Sequence, residues 1–226
     1  MKVLLIHPPW LRFFGSCLAS PPIALNYIAA SVKQYLPDIE IEVYNADYAA
    51  GLVPSMANDL FTSGHNEYRR RLFDLNDPIW KDIEEVIRKA DPDLIGISSM
   101  TATFPAACQL IKVARSIKPG IKYVIGGRHP SALPELSLVQ SNADFVVIGD
   151  GEQTFCDLLK NLSTPEKVQG IAFLKPSGEF TITSPRSKIA EIDSFPIPIV
   201  ESSISRYGFE NGQDADIFTW SLLTAR

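Results

Sequence analysis

Four segments rich in glycine, proline, serine and threonine are the parts of this sequence best suited to bind a ligand. They are Pro8-Pro9-Trp10, the segment 98–103, Gly126-Gly127-Arg128-His129 and Gly149-Asp150-Gly151-Glu152. Each directly follows an apolar run of strand length. Glycines leave backbone amides accessible, and serine and threonine add small hydroxyl groups. The segments therefore indicate a binding site made of loops.

The glycine pair Gly126-Gly127 is the most informative of these segments. Adjacent glycines increase the entropy lost on folding and place no side chain in a core. The pair therefore indicates either a turn that needs positive φ or the close approach of a ligand to the backbone. The hydroxyl groups of segment 98–103 favour the second interpretation.

No catalytic or metal-binding motif accompanies these loops. The sequence has no G-x-S-x-G elbow, no Walker-type phosphate loop and no C-x-x-C pair, and its three histidines are widely separated. Gly149-Asp150-Gly151 lacks the third glycine of a dinucleotide fingerprint and has Thr154 in that place. We therefore predict no catalytic residue and no metal ligand within the chain.

The loops need a scaffold, and the hydrophobic periodicity predicts an α/β fold. Apolar runs alternate with helical stripes, of which Leu25, Ile28, Ala29 and Val32 form the first. The central runs are almost continuously apolar, as burial on both faces of a parallel sheet requires. We predict a doubly wound, five-stranded parallel sheet of flavodoxin type with strand order 2-1-3-4-5, which places ligands at the carboxyl ends of the strands. The predicted strands are Val3–Ile6, Ile39–Tyr44, Leu94–Ser98, Tyr123–Ile125 and Phe145–Ile148.

Two regions do not fit the strand–helix pattern: one is an insert within the α/β unit, which we expect to span residues 1–165, and the other follows the unit. Residues 52–77 have mixed polarity and predict a helical insert. In 166–226, two apolar segments flank Pro176-Ser177-Gly178 and predict a β-hairpin. The proline-rich segment 193–198 then predicts a linker.

The composition excludes several classes of protein. The chain has 226 residues, 46% of them hydrophobic and 21% charged, as is usual for globular proteins. Its formal net charge of −5 gives no general electrostatic reason to bind nucleic acid or an anionic membrane. No apolar run is long enough to span a membrane, and the first residues do not form a signal peptide. We therefore expect a cytoplasmic protein without a nucleic-acid partner.

Taken together and in order, the loops resemble a known family. They are similar to the amino-terminal cobalamin (vitamin B12)-binding domain of the cobalamin-dependent radical S-adenosylmethionine enzymes. The resemblance rests on Ile6-His7-Pro8-Pro9, Pro22-Ile23-Ala24-Leu25, Leu94-Ile95-Gly96-Ile97-Ser98, Gly126-Gly127-Arg128-His129-Pro130-Ser131 and Val147-Ile148-Gly149-Asp150-Gly151-Glu152. The tail is also similar: 192–198 looks like the family's connector, and 221–226 looks like the strand before the loop that carries its cluster cysteines.

The resemblance implies a set of cofactors and partners. The ligand would be a corrinoid, cobalamin, held over the carboxyl edge of the sheet, and the protein partner would be the enzyme's own radical S-adenosylmethionine barrel. The 4Fe-4S cluster and S-adenosylmethionine would belong to a missing carboxyl-terminal part, so this chain alone would not catalyse methyl transfer or ring formation. The implied cobalamin-binding residues are Pro8, Pro9, Trp10, Ser98, Ser99, Met100, Thr101, Thr103, Gly126, Gly127, Arg128, His129, Gly149, Gly151 and Glu152.

One departure from a related pattern leaves alternatives open. Cobalamin domains of the methionine synthase type carry D-x-H-x-x-G after the first strand, whereas this loop reads His7-Pro8-Pro9-Trp10-Leu11-Arg12. We therefore expect cobalamin to be bound without a histidine on its lower face. A second interpretation is a degenerate scaffold of the same fold that binds no cofactor. A third is a flavin-binding domain, which Pro8-Pro9 disfavours because proline removes amide donors where a phosphate would bind.

Overall fold

The structure is a computed structural model, which describes residues 1–18, 20–49, 52, 64–187 and 195–199 and the backbone of 205–206. Residues 53–63 of the predicted insert, residues 193–194 of the predicted linker and the tail segment 221–226 lie outside the described residues. In the described part, no helix is long and apolar enough to cross a membrane.

The predicted parallel sheet and its strand order are confirmed. Strands β1 to β5 lie in the order β5-β4-β3-β1-β2, and every neighbouring pair among them is parallel. The sheet then continues at both edges: β6 and β7 add an antiparallel hairpin beside β5, and the short β8 pairs with β2. The strands are β1 Lys2–His7, β2 Glu40–Asn45, β3 Leu94–Ser98, β4 Lys122–Gly126, β5 Phe145–Val147, β6 Ile171–Leu174, β7 Phe180–Ile182 and β8 Ser205–Arg206.

Helices cover both faces of this sheet, which explains why the central strands are apolar on both sides. In β1, Leu4 and Ile6 pack into the core on one face, and Val3 and Leu5 pack into the core on the other. Helices α3 and α4 cover the first face, and α1 and α7 cover the second. The helices are α1 Ile23–Tyr35, α2 Gly64–Phe73, α3 Pro78–Ala90, α4 Phe104–Ile117, α5 Arg128–Ala132, α6 Pro134–Ser141 and α7 Gly151–Lys160.

The part of the insert that the structure describes is helical and is fastened to the loop after β1. The Arg71 guanidinium of α2 pairs with the Asp77 carboxylate at 2.8 Å and donates hydrogen bonds to the carbonyls of Arg12 and Phe13, both at 3.2 Å. The Tyr68 ring stacks on Phe14 at a centroid distance of 5.3 Å. Helix α2 therefore positions the segment that begins with Trp10.

Candidate functional site

A cavity of about 520 Å³ opens at the carboxyl edge of the sheet, between helices α1 and α7. It lies where the strand order reverses between β1 and β3, which is where ligands bind in open α/β sheets. Its walls are mainly apolar, and glycines form much of its floor and mouth. It is lined by Leu5, Ile23, Ala24, Leu25, Tyr27, Ile28, Gly96, Ile97, Ser98, Val124, Gly126, Gly127, Arg128, Val147, Gly149, Asp150, Gly151, Glu152 and Phe155.

Gly96 lies in the middle of β3 and lines the floor of the cavity, where there is no room for a side chain. A Cβ atom at this position would lie 2.6 Å from Leu5 Cδ2 and 3.5 Å from the Phe155 ring. Any other residue would therefore displace the Leu5 side chain or extend into the cavity. A glycine inside a strand commonly marks such a close approach.

The structure accounts for the two adjacent glycines at the end of β4 in different ways. Gly127 has φ of +105°, and a Cβ there would lie 2.4 Å from the Ser99 carbonyl oxygen. A Cβ on Gly126 would meet only Val147, at an ordinary 3.5 Å. Gly127 is therefore required by the fold, whereas Gly126 lines the cavity without being required by packing.

The loop after β1 is held by a buried carboxylate that lies two residues after the end of β2. Asp47 Oδ1 accepts hydrogen bonds from the backbone amides of Trp10 at 2.7 Å and Arg12 at 3.0 Å. Burial raises the pKa of Asp47 to about 6, although these amides and the nearby Arg12 guanidinium act in the opposite direction. Arg12 also donates to the Ala46 carbonyl at 3.1 Å and pairs with Asp82.

His129 lies at the same edge, in the first turn of α5, but outside the cavity. Its ring packs on Phe104 at a centroid distance of 4.1 Å, and its Nδ1 lies 3.3 Å from Thr101 Oγ1. Its Nε2 is buried and has no hydrogen-bond partner among the residues that the structure describes. His129 therefore connects the loops after β3 and β4.

His7, at the end of β1, is the histidine nearest to the position that D-x-H-x-x-G would occupy. Burial lowers the pKa of His7 to about 4, so its imidazole is neutral at neutral pH. Among the described residues, no group of three or more histidine, cysteine or acidic side chains is arranged to hold a metal ion.

The predicted site residues divide into two sets in the structure. One set lines the cavity and consists of Ser98, Gly126, Gly127, Arg128, Gly149, Gly151 and Glu152. The other residues lie at the same edge of the sheet but not in the cavity. Of these, Pro8, Pro9, Ser99 and Thr103 are buried, Trp10 and His129 are half-buried, and Met100 and Thr101 are exposed.

Sequence reasoning missed most of the apolar lining of the cavity. Leu5, Ile28 and Phe155 read as ordinary core positions of a strand and two helices, and no local signal distinguishes them. Gly96 did carry a signal, since it interrupts an apolar strand. The residues Ile23, Ala24 and Leu25 belong to a segment that the family resemblance already included.

Two curated relatives are similar to most of this chain. The uncharacterized methyltransferase PH0819 of Pyrococcus horikoshii is 30% identical over 205 residues, which are 88% of this chain and 38% of that protein. The anaerobic magnesium-protoporphyrin IX monomethyl ester cyclase of Rubrivivax gelatinosus is 25% identical over 202 residues, 85% of this chain and 31% of that protein. The chain thus spans roughly a third of the length of these relatives.

Solved structures share the fold. The radical S-adenosylmethionine methyltransferase TsrM from Kitasatospora setae has a TM-score of 0.56 at 18% identity, over 82% of this chain and 30% of that one. The cobalamin-dependent S-adenosylmethionine radical enzyme OxsB, with aqua-cobalamin and S-adenosylmethionine bound, has a TM-score of 0.57 at 18% identity, over 82% of this chain and 22% of that one.

The family comparison agrees with the fold. The model of the B12 binding domain matches residues 18–159, more than half of the chain, from the loop before α1 almost to the end of α7. The chain therefore belongs to the B12 binding domain family.

Proposed function

We propose that this domain binds cobalamin, with the corrin ring over the carboxyl edge of the sheet and the nucleotide tail in the cavity between α1 and α7. The observation that carries the proposal is the cavity itself. It reaches from the strand ends into the space between the two helices, and no side chain of the described residues fills it.

The size and chemistry of the cavity suit the nucleotide tail of cobalamin. A volume of about 520 Å³ lies within the usual range for small-molecule sites. Leu5, Ile28 and Phe155 provide apolar walls for an aromatic base. Ser98 and Arg128 lie among the polar residues of the lining and suit the ribose and phosphate groups that connect the base to the corrin.

The corrin ring needs a broad surface, and the loops around the cavity mouth supply it. Trp10, Met100, Thr101 and His129 lie at this edge outside the cavity. A corrin has an apolar face and a rim of amide groups, which match an aromatic ring, a thioether and short hydroxyls. These residues would hold the ring, and those of the cavity would hold the tail.

In this proposal, no histidine of this domain ligates cobalt from the lower face. The imidazole of His7 is half-buried, and the buried prolines Pro8 and Pro9 follow it directly. His129 is packed against Phe104, with its Nε2 buried. Neither histidine belongs to the lining of the cavity.

The enzyme to which this domain would belong performs radical chemistry. Cobalamin, when bound, supplies a cobalt centre that carries a methyl group or exchanges electrons. The relatives include a methyltransferase and a cyclase. We infer methyl transfer or ring formation in a protein that also has a radical S-adenosylmethionine barrel, with the 4Fe-4S cluster and S-adenosylmethionine bound in that barrel.

A binding experiment with purified protein tests the proposal. The protein is mixed with hydroxocobalamin and passed through a gel-filtration column, and the corrin absorbance is followed. We expect the absorbance to elute with the protein. We also expect cobinamide, which lacks the nucleotide tail, to bind at least about tenfold more weakly, because the apolar cavity then stays empty.

The same experiment tests the cofactor-free scaffold, which the absence of D-x-H-x-x-G favours. In that case all colour would be lost from the protein fraction with both corrinoids. Flavin mononucleotide serves as a control ligand. Retention of flavin without retention of hydroxocobalamin would contradict the proposal and support the flavodoxin-type interpretation.

A further inference from the structure

One serine side chain joins two loops at the mouth of the cavity. The Ser131 hydroxyl oxygen, in α5, accepts a hydrogen bond from the Gly149 amide at 2.9 Å. Ser131 follows β4 and Gly149 follows β5, so the bond connects the carboxyl ends of two neighbouring strands. Gly149 lines the cavity, whereas Ser131 does not.

Gly149 lies between two anchored residues. On one side, the Ile148 amide donates a hydrogen bond to the Gly170 carbonyl at 2.8 Å. On the other side, Gly151 packs so closely against α1 that a Cβ would lie 3.1 Å from Ile28 Cδ1. Gly149 itself has φ of +77° and open space around the position of a Cβ, so packing does not fix it.

Ser131 is held firmly enough to fix Gly149. Its own amide donates to the Gly127 carbonyl at 3.0 Å. Gly127 in turn lies against the backbone of Ser99, after β3. A continuous series of contacts thus runs from the end of β3 through the loop after β4 to the loop after β5.

We propose that Ser131 is a positioning residue that sets the shape of the cavity mouth by holding the Gly149 amide. It acts through Gly149 and does not itself line the cavity. The proposal rests on the proposed function for the identity of the ligand, but the contact that it describes is independent of the ligand.

The test compares Ser131→Ala with Ser131→Thr, which keeps a hydroxyl group. In Ser131→Ala we expect hydrogen exchange of the Gly149 amide to become at least about fivefold faster, with the increase confined to residues 148–151. We expect the dissociation constant of hydroxocobalamin to rise about 3- to 10-fold, as the loss of one hydrogen bond allows. Ser131→Thr restores both.

Ser177→Ala is the matched control. The Ser177 hydroxyl accepts a hydrogen bond from the Glu179 amide at 3.4 Å in the turn of the β6–β7 hairpin, away from the cavity. This substitution also removes a serine acceptor from a backbone amide, so it should leave the cobalamin affinity unchanged.

Two results would overturn the positioning role. One is an unchanged dissociation constant in Ser131→Ala. The other is a loss of affinity that accompanies faster exchange throughout the domain and a lower melting temperature, because that would be general destabilisation. If the wild-type protein retains no cobalamin, the proposed function fails by itself. Faster exchange confined to 148–151 would then still support the contact, and unchanged exchange would contradict it.

Discussion

Gly127 lies against the backbone of Ser99 so closely that a Cβ atom on it would be 2.4 Å from the Ser99 carbonyl oxygen and 2.9 Å from the Ser99 amide nitrogen. The contact joins the loops that follow β3 and β4. The contact also distinguishes Gly127, where a side chain would clash with backbone atoms, from Gly126, where it would not.

Replacing Gly127 by alanine should destabilise the fold. The substitution combines a φ of +105° with a steric overlap against backbone atoms, and we expect a loss of about 3 kcal/mol in the free energy of unfolding. Urea denaturation measures it. Gly178→Ala is the control, because Gly178 has φ of +85° but open space, and it should lose only about 1 kcal/mol. Equal losses in the two variants would show that the contact with Ser99 relaxes freely.

Replacing Gly126 by valine should block ligand binding and preserve the fold. A Cβ here meets Val147 at an ordinary distance. Because Gly126 lines the cavity, we expect the larger valine side chain to occupy part of it. We expect the affinity for hydroxocobalamin to fall at least about tenfold while unfolding remains cooperative. Gly120→Val, in an open turn before β4, is the matched control and should bind as the wild type does. Full retention by Gly126→Val would exclude the cavity mouth as the route of the tail.

Replacing His7 by alanine should leave the visible spectrum of bound cobalamin unchanged. The His7 imidazole is half-buried and is neutral at neutral pH, and the proposal assigns it no contact with cobalt. His65→Ala, at an exposed position of α2, is the control. A shift of the cobalt-dependent bands in His7→Ala alone would mean that this histidine is a ligand, contrary to our assignment.

Replacing Asp47 by asparagine should increase stability more at high pH than at low pH. Burial raises the pKa of Asp47 to about 6, so the folded protein binds this proton more tightly than the unfolded chain does. Wild-type stability is therefore lost as the pH rises from about 4 to about 6. Asparagine keeps an oxygen that can accept hydrogen bonds from the Trp10 and Arg12 amides, and its side chain carries no charge.

The difference in unfolding free energy between Asp47→Asn and the wild type should therefore grow by about 2 kcal/mol between about pH 4.5 and about pH 7.5. Urea denaturation at both pH values gives this difference. If this difference in unfolding free energy stays constant with pH, the pKa of Asp47 is the same in the folded and unfolded states, contrary to the prediction.

Much of the fold follows from short-range features of the sequence. The apolar runs, the helical stripes and the position of the hairpin turn are local patterns, and parallel strands joined by right-handed crossovers leave few topologies. This is why the strand order could be predicted, together with the edge of the sheet at which the loops meet. The sequence did not indicate that the hairpin would join the same sheet beside β5, because that pairing depends on residues more than twenty positions apart.

The sequence by itself determined the α/β fold and the set of glycine- and hydroxyl-rich loops at one edge of the sheet, because both depend on the types and spacing of nearby residues. Only the tertiary structure decided which residues surround the cavity. Leu5, Ile28 and Phe155 line it because β1, α1 and α7 converge there. The tertiary structure also decided that Gly127 meets the Ser99 backbone whereas Gly126 faces the open cavity. Contacts between distant segments depend on how the elements pack, and no local pattern encodes them.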